Sequence, residues 1–138
     1  MIINAENLII GRLATYAAKQ ALLGEKIDIV NCEKAIITGS KKDILNRYET
    51  RIKRGTPFKG PFISRTPERI VKRTIRGMLP YKKEKGKLAF KNIKCYIDIP
   101  ESLKDKEYKT LESANIKKIK NLKFITIGYL SKLLGKWK

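Results

Sequence analysis

Two short apolar runs open the chain, MII and the end of NAENLII, punctuated by asparagine; they predict a first strand and a turn. In GRLATYAAKQALLG, residues Leu13, Ala14, Ala17, Ala18, Ala21 and Leu22 recur at helical spacing. Gly11 is placed to cap this helix at its start, and Gly24 to take the left-handed conformation at its end. So many alanines on one face would let the helix lie close on a sheet. KIDIVN, with Ile27, Ile29 and Val30, predicts a buried strand, and after the polar turn NCEK the run AIIT predicts a second extended piece. SKKDILNRYETRIKR then reads as a helix, with Ser40 and Asp43 in the capping-box spacing and Ile44, Leu45, Tyr48 and Ile52 on the apolar face.

GTPFKGPF, residues 55–62, carries two glycines and two prolines in eight positions, which excludes a helix or a central strand and predicts a stiff loop. Thr66 followed by Pro67 opens the next helix in the favoured order. On that helix Val71, Ile75, Met78 and Leu79 share one side, with Met78 and Leu79 expected to anchor it to the core; Pro80 ends it. YKKEKGK predicts a charged loop, and LAFKNIKCYIDI, rich in β-branched residues, a strand. After Pro100 the chain is lysine-rich. It closes on a strand, FITI, and a short amphipathic turn around Leu130, Leu133 and Leu134. Trp137 and these leucines suit either a partner-binding tail or an element docked on its own domain. Strands alternating with helices predict an α/β layered domain with a largely parallel sheet. The expected division is a core at 1–100 and a lysine-rich extension at 101–138.

Composition adds the partner. The 138 residues suit one domain, and 42% of them are apolar, enough for a core. The 32 Lys and Arg against 13 Asp and Glu leave a formal charge of +19, which points to nucleic acid, an anionic membrane surface or an acidic protein. That charge is concentrated: Lys41 to Lys94 holds 18 Lys or Arg and 4 Asp or Glu, a net +14. A uniformly solubilising surface has no such block. Histidine is absent, which removes the commonest general base and metal ligand together. Cys32 and Cys95 form no CxxC pair and read as small apolar residues in a reducing cytosol. No uncharged apolar run approaches the roughly 18 residues of a membrane span, and MIINAENLIIGRL lacks the basic-then-apolar order of a signal peptide.

Within the basic block, Arg47, Arg51 and Arg54 fall on one face of the first helix, and Arg69, Lys72, Arg73 and Arg76 form a stripe on the second. A basic stripe is ordinarily a solvated face. Here two helices each carry one, a stiff loop with Lys59 and Arg65 joins them, and Lys82, Lys83, Lys85 and Lys87 follow. Glu68 is the one acid on the second helix that could compensate. Guanidinium forks match phosphate oxygens, and counterion release would supply much of the affinity. RNA is favoured over DNA, because no helix-turn-helix, zinc finger or heptad-linked basic region is present. A sheet studded with aromatics is absent too, which leaves recognition by shape and backbone. Parts of 55–66 and 81–87 are expected to order only on binding. TGSKK, residues 38–42, lacks the first glycine of a phosphate-binding loop. It reads better as a strand-to-helix turn where Lys41 and Lys42 could meet a backbone phosphate. Asp28, Glu33, Asp43 and Asp98 are the acids available to a metal-dependent nuclease, and nothing in their spacing marks them. A nuclease, and a DNA-compacting or membrane-surface protein acting by charge alone, are the alternatives.

GRLATYAAKQALLG, VNCEKAIITGSK, RTPERIVKRTIRGMLP and KLAFKNIKCY, in that order, resemble the universal large-subunit ribosomal protein thirteen family, RGMLP being the most specific element. The matches span most of residues 1–96. The ending KFITIGYLSKLLGKWK and the short link LLGEK are similar to the archaeal and eukaryotic branch. The resemblance implies a three-layer α/β/α domain around a four-stranded, mostly parallel sheet. It implies a non-catalytic, cofactor-free protein of the cytoplasmic ribosome, bound to large-subunit ribosomal RNA beside other ribosomal proteins and joining the particle early in assembly. Carried over by position, Arg12, Lys41, Arg69, Lys72, Arg73, Arg76 and the segment Gly77–Pro80 would face RNA. Gly77, costly inside a helix, would be retained because RNA or sheet backbone comes close.

Overall fold

The computed structural model describes residues 1–120 and 123–135; Trp137 lies outside them. β1 (Ile2–Asn4) pairs in parallel with β2 (Ile27–Val30), Ile3 opposite Ile29. β2 pairs in parallel with β4 (Ile93–Cys95), Ile29 opposite Cys95. The central strand β2 is nearly all apolar, as a strand covered on both faces must be, and Ile27, Ile29 and Val30 have no exposed surface. Between β1 and β2 runs α1 (Ile10–Leu22), which buries Leu13, Ala14, Ala17, Ala18 and Ala21 and packs along α3 (Pro67–Met78) and α4 (Glu84–Lys91). Gly24 takes φ +96° just past its end, as expected, but Ile9 and not Gly11 is the residue preceding its first turn.

The described residues form two sheets rather than one of four strands. At Asn31 the backbone is left-handed, and a 3-10 turn over Cys32–Lys34 carries the chain away from β2. β3 (Ile36–Thr38) therefore pairs elsewhere, antiparallel with β5 (Phe124–Thr126), Ile37 opposite Ile125. The partner arrives from the far end of the chain, so local sequence carries no sign of the pairing. Residues beyond 100 are woven into this framework. The Lys109 N–H donates to the Ile2 carbonyl and the Ile9 N–H to that of Ala114, and Leu103, Leu111 and Ala114 are buried. α5 (Ile127–Leu133) buries Ile127 and Leu130, with Leu134 following.

α2 (Lys41–Lys53) and α3 hold the site. Ser40 and Thr66 have the extended backbone of N-cap residues, yet no side-chain hydrogen bond caps either helix. α2 buries Ile44 alone, with Leu45, Tyr48 and Ile52 packed at the core's edge, whereas α3 buries Ile70, Val71 and Ile75. Leu79 anchors the end of α3, but Met78 does not: its side chain is 42% exposed, and its Sδ accepts a hydrogen bond from the Thr15 hydroxyl on α1. The last turn of α3 overhangs the core. The segment 81–92, expected to be loop and then strand, contains α4, and only Ile93–Cys95 are extended. Gly86, Ala89 and Phe90 make the inward face of α4, and its first member has no side chain, which hides the period from a hydrophobicity reading. That glycine is required: a Cβ there would lie 2.1 Å from the Pro80 carbonyl oxygen. The 55–62 loop likewise has its own bonds. Thr56 and Gly60 exchange backbone hydrogen bonds of 3.1 and 3.0 Å, and the Lys59 N–H donates to the Thr56 hydroxyl.

Candidate nucleic-acid interface

At about 3.6 residues per turn, the stripe of Arg69, Lys72, Arg73 and Arg76 faces away from Val71 and Ile75, which are fully buried. Arg69 has an acidic neighbour, Glu68, with Nε 4.0 Å from the carboxylate at the surface. At that length, with the Arg69 side chain largely in water and Glu68 half-buried, the contact contributes little and leaves the guanidinium able to bind elsewhere. Two cations of the stripe rest on rings: the Lys72 ammonium is 5.0 Å from the Phe90 ring and the Arg76 guanidinium 4.4 Å from the Tyr81 ring. These contacts hold the charges outward without neutralising them, because a ring face carries no formal charge. They also tie the stripe to α4 and to the turn before it, where Lys83 precedes the first helical turn and Lys82, Lys85 and Lys87 are exposed.

The structure brings the stripes of α2 and α3 together. Arg51, Arg73 and Gly77 line a groove of about 440 Å³ whose other walls include Tyr48 and Phe62. Burial pushes the Tyr48 hydroxyl pKa upward, against the pull of Arg51 and Arg47, so the ring stays neutral. The adjoining hollow of about 480 Å³ carries Lys53, Arg54 and Arg65. A shallower one, about 320 Å³, carries Arg69, Lys72 and Lys94. Basic side chains thus run from α2, across the loop, along α3 and onto Lys94 of β4. Lys53 and Lys94 were not singled out by sequence, although Lys53 sits between two arginines that were.

Among the described residues nothing lies within 4 Å of a Cβ built at Gly77, so none of them requires a glycine there by close approach. The sheet-backbone alternative therefore falls. Three other candidates are engaged by the fold. The Arg12 guanidinium donates to the Ser113 carbonyl at 2.9 Å, and that of Arg65 to the Leu134 carbonyl at 3.3 Å. The Lys41 ammonium donates to the Tyr129 hydroxyl and sits 4.6 Å from that ring. Arg65 and Lys41 tie the basic region, and Arg12 ties α1, to segments beyond residue 100, which local sequence could not show. Lys42, Arg47 and Lys59 are exposed.

The acids do not converge. Glu33 is buried, and its Oε2 accepts the Asp98 N–H at 3.2 Å; Asp28 is half-buried on β2, and Asp43 is exposed on α2. Among the described residues no group of three or more His, Cys, Asp or Glu is placed to hold a metal ion. No helix among them is long and apolar enough to cross a membrane.

Comparison with known proteins agrees with this geometry. The family model described as Ribosomal protein L13 matches residues 1–102. A protein of Methanococcus maripaludis named large ribosomal subunit protein uL13 is 46% identical, the match covering 98% of this chain and 97% of that one. Proteins of the same name from Methanococcoides burtonii and Archaeoglobus fulgidus are 44% and 42% identical over 97% of this chain, and over 96% and 86% of their own lengths. With a family model matched over most of its length and relatives this similar end to end, the chain belongs to the ribosomal protein L13 family.

Proposed function

We propose that this protein is a structural constituent of the large ribosomal subunit, working in the cytoplasm within the ribosome and without catalysis. It binds large-subunit ribosomal RNA through the basic face on α2, the 55–62 loop, α3 and α4, and supports early subunit assembly beside other ribosomal proteins. The observation that carries this reading is the run of grooves that unites Arg51, Arg54, Arg65, Arg69, Lys72 and Arg73 on one surface, with Glu68 the one acid among the residues lining these four hollows. Such a surface suits a backbone with a phosphate every few ångströms. Lys42, Arg47, Lys59, Arg76, Lys82, Lys83, Lys85 and Lys87 extend it, and Gly77 lets RNA approach α3. Arg12 and Lys41 contribute from positions steadied by Ser113 and Tyr129.

The finer points of architecture belong to the same reading. A three-layer α/β/α arrangement is supported by the parallel β1–β2–β4 sheet and the alanine-faced α1. Residues 1–100 act as the RNA-binding core, and 101–138 as a lysine-rich extension that packs on the core or on ribosomal neighbours.

The test is charge reversal. Arg69, Arg73 and Arg76 are replaced together by Glu, folding is checked by circular dichroism, and incorporation into large subunits is measured. The folded variant is expected to be excluded from subunits; normal incorporation would remove the stripe from the account.

A further inference from the structure

Phe58 is 93% exposed and Phe62 75% exposed, the two most exposed large apolar side chains among the described residues. A protein that needed only to fold would not leave two phenyl rings in water on one loop, since each fully buried ring is a favourable transfer. The loop presents them firmly. Gly55 has φ +81°, and a Cβ there would meet the Gly60 oxygen at 1.7 Å, so the turn closes only with glycine. The paired bonds between Thr56 and Gly60, and that from Lys59 to the Thr56 hydroxyl, close the tip on itself and leave Phe58 in water, while the Phe62 ring lies beside Gly60 with its outer face exposed.

The setting selects the occupant. From Thr50 to Pro67 the chain has five cations, Arg51, Lys53, Arg54, Lys59 and Arg65, and no acid. A protein groove that received Phe58 would have to bring its own acids against this segment. Single-stranded nucleic acid supplies both complements at once: phosphates for the cations and π faces for the rings. Phe62 also walls the groove with Arg51, Arg73 and Gly77, so a base stacked on it would have its phosphate within reach of those guanidinium groups.

We propose that the 55–62 loop is a base-stacking element, with Phe58 and Phe62 each taking an unpaired nucleobase of the large-subunit RNA. The element adds contact with bases to a grip otherwise made on phosphates. It deepens the proposed function and rests on it, since it requires that RNA be the partner.

The experiment measures binding of the full-length protein to transcribed large-subunit RNA across a salt series, for wild type and for Phe58→Leu, Phe58→Trp, Phe62→Leu and Arg73→Gln. Thermal melting checks that each is folded, which Phe58 substitution at so exposed a site should not disturb. Stacking is worth about 1–3 kcal/mol per base, so each leucine variant is expected to bind roughly fivefold to a hundredfold more weakly with an unchanged salt slope. Phe58→Trp is expected to bind as wild type, and Arg73→Gln to flatten the slope. If the leucine variants bind like wild type while Arg73→Gln weakens, the stacking proposal is overturned and the RNA-binding function stands. If they bind RNA normally yet fail to enter subunits assembled with the other ribosomal proteins, the rings dock on protein and the proposal is again wrong. If wild type itself shows no preference for this RNA over duplex DNA, the function and the stacking element fall together.

Discussion

Replacing Gly77 by Ala separates folding from binding within one methyl group. Gly77 is the penultimate residue of α3 and has open space around its Cβ position. Inside a helix, glycine costs about 0.5–1 kcal/mol relative to alanine. Close to the helix end only part of this is recovered, so Gly77→Ala is expected to be more stable by about 0.5 kcal/mol. RNA seated against α3 would meet the new methyl group, and overfilling a packed interface costs about 1–3 kcal/mol, a fivefold to hundredfold loss of affinity. Urea unfolding reads the first number, and filter binding to large-subunit RNA the second. Gly86→Ala is the control. Its Cβ would lie 2.1 Å from the Pro80 oxygen, which is backbone and has nowhere to go, so that variant is expected to lose at least about 2 kcal/mol despite the same gain in helix propensity. A folded Gly77→Ala protein with unchanged RNA affinity would refute the reading of Gly77 as a point of close approach, and one less stable than wild type would refute the open space assigned to its Cβ.

Leu130→Ala, at a fully buried site on α5, is expected to cost about 2–5 kcal/mol in urea unfolding, the size of a core substitution, although it lies in the C-terminal segment; a cost below about 1 kcal/mol would show that α5 is not part of the core. Neutralising Arg69, Arg73 and Arg76 with Gln should lower the slope of log affinity against log salt by about 0.7–0.9 for each phosphate these cations had neutralised, and an unchanged slope means they touch no phosphate. A hydrogen bond that the Cys32 thiol donates toward Cys95, and then burial, push its pKa far above its ordinary 9.0. The folded thiol keeps its proton where the unfolded one loses it, so stability from this group is intact below about pH 9 and declines as pH rises beyond it. A Cys32→Ala variant should show a flatter alkaline decline in melting temperature; an identical decline removes Cys32 as its cause.

Helix α1 and strand β2 were legible because their signals are local: alanines at helical spacing, and an apolar run bounded by polar residues. α4 was not, because Gly86 serves in its buried face through what it lacks, and a hydrophobicity pattern registers only side chains. The second sheet was hidden for a different reason. β3 looks like any short apolar strand, and its partner lies far along the chain, where only folding brings Ile125 opposite Ile37. For the interface, charge located the region because like charges at helical spacing need an external counterpart. Charge said nothing of Arg12 and Arg65 donating to carbonyls of the distant tail, or of Phe90 and Tyr81 beneath Lys72 and Arg76. Exposure of Phe58 was equally out of reach, since a phenylalanine in a Gly/Pro loop can as easily fold back under it.

The central claim, an RNA-held structural component of the large subunit, is tested most directly by sedimentation. A lysate of the source cells is run through sucrose gradients at low and at high salt, and every fraction is probed for this protein. The account predicts that the protein travels with the large subunit and remains there in high salt, since many contacts on a folded RNA do not all release together. Protein at the top of the gradient, or released from the subunit at modest salt, would contradict it and leave the basic face serving a looser partner.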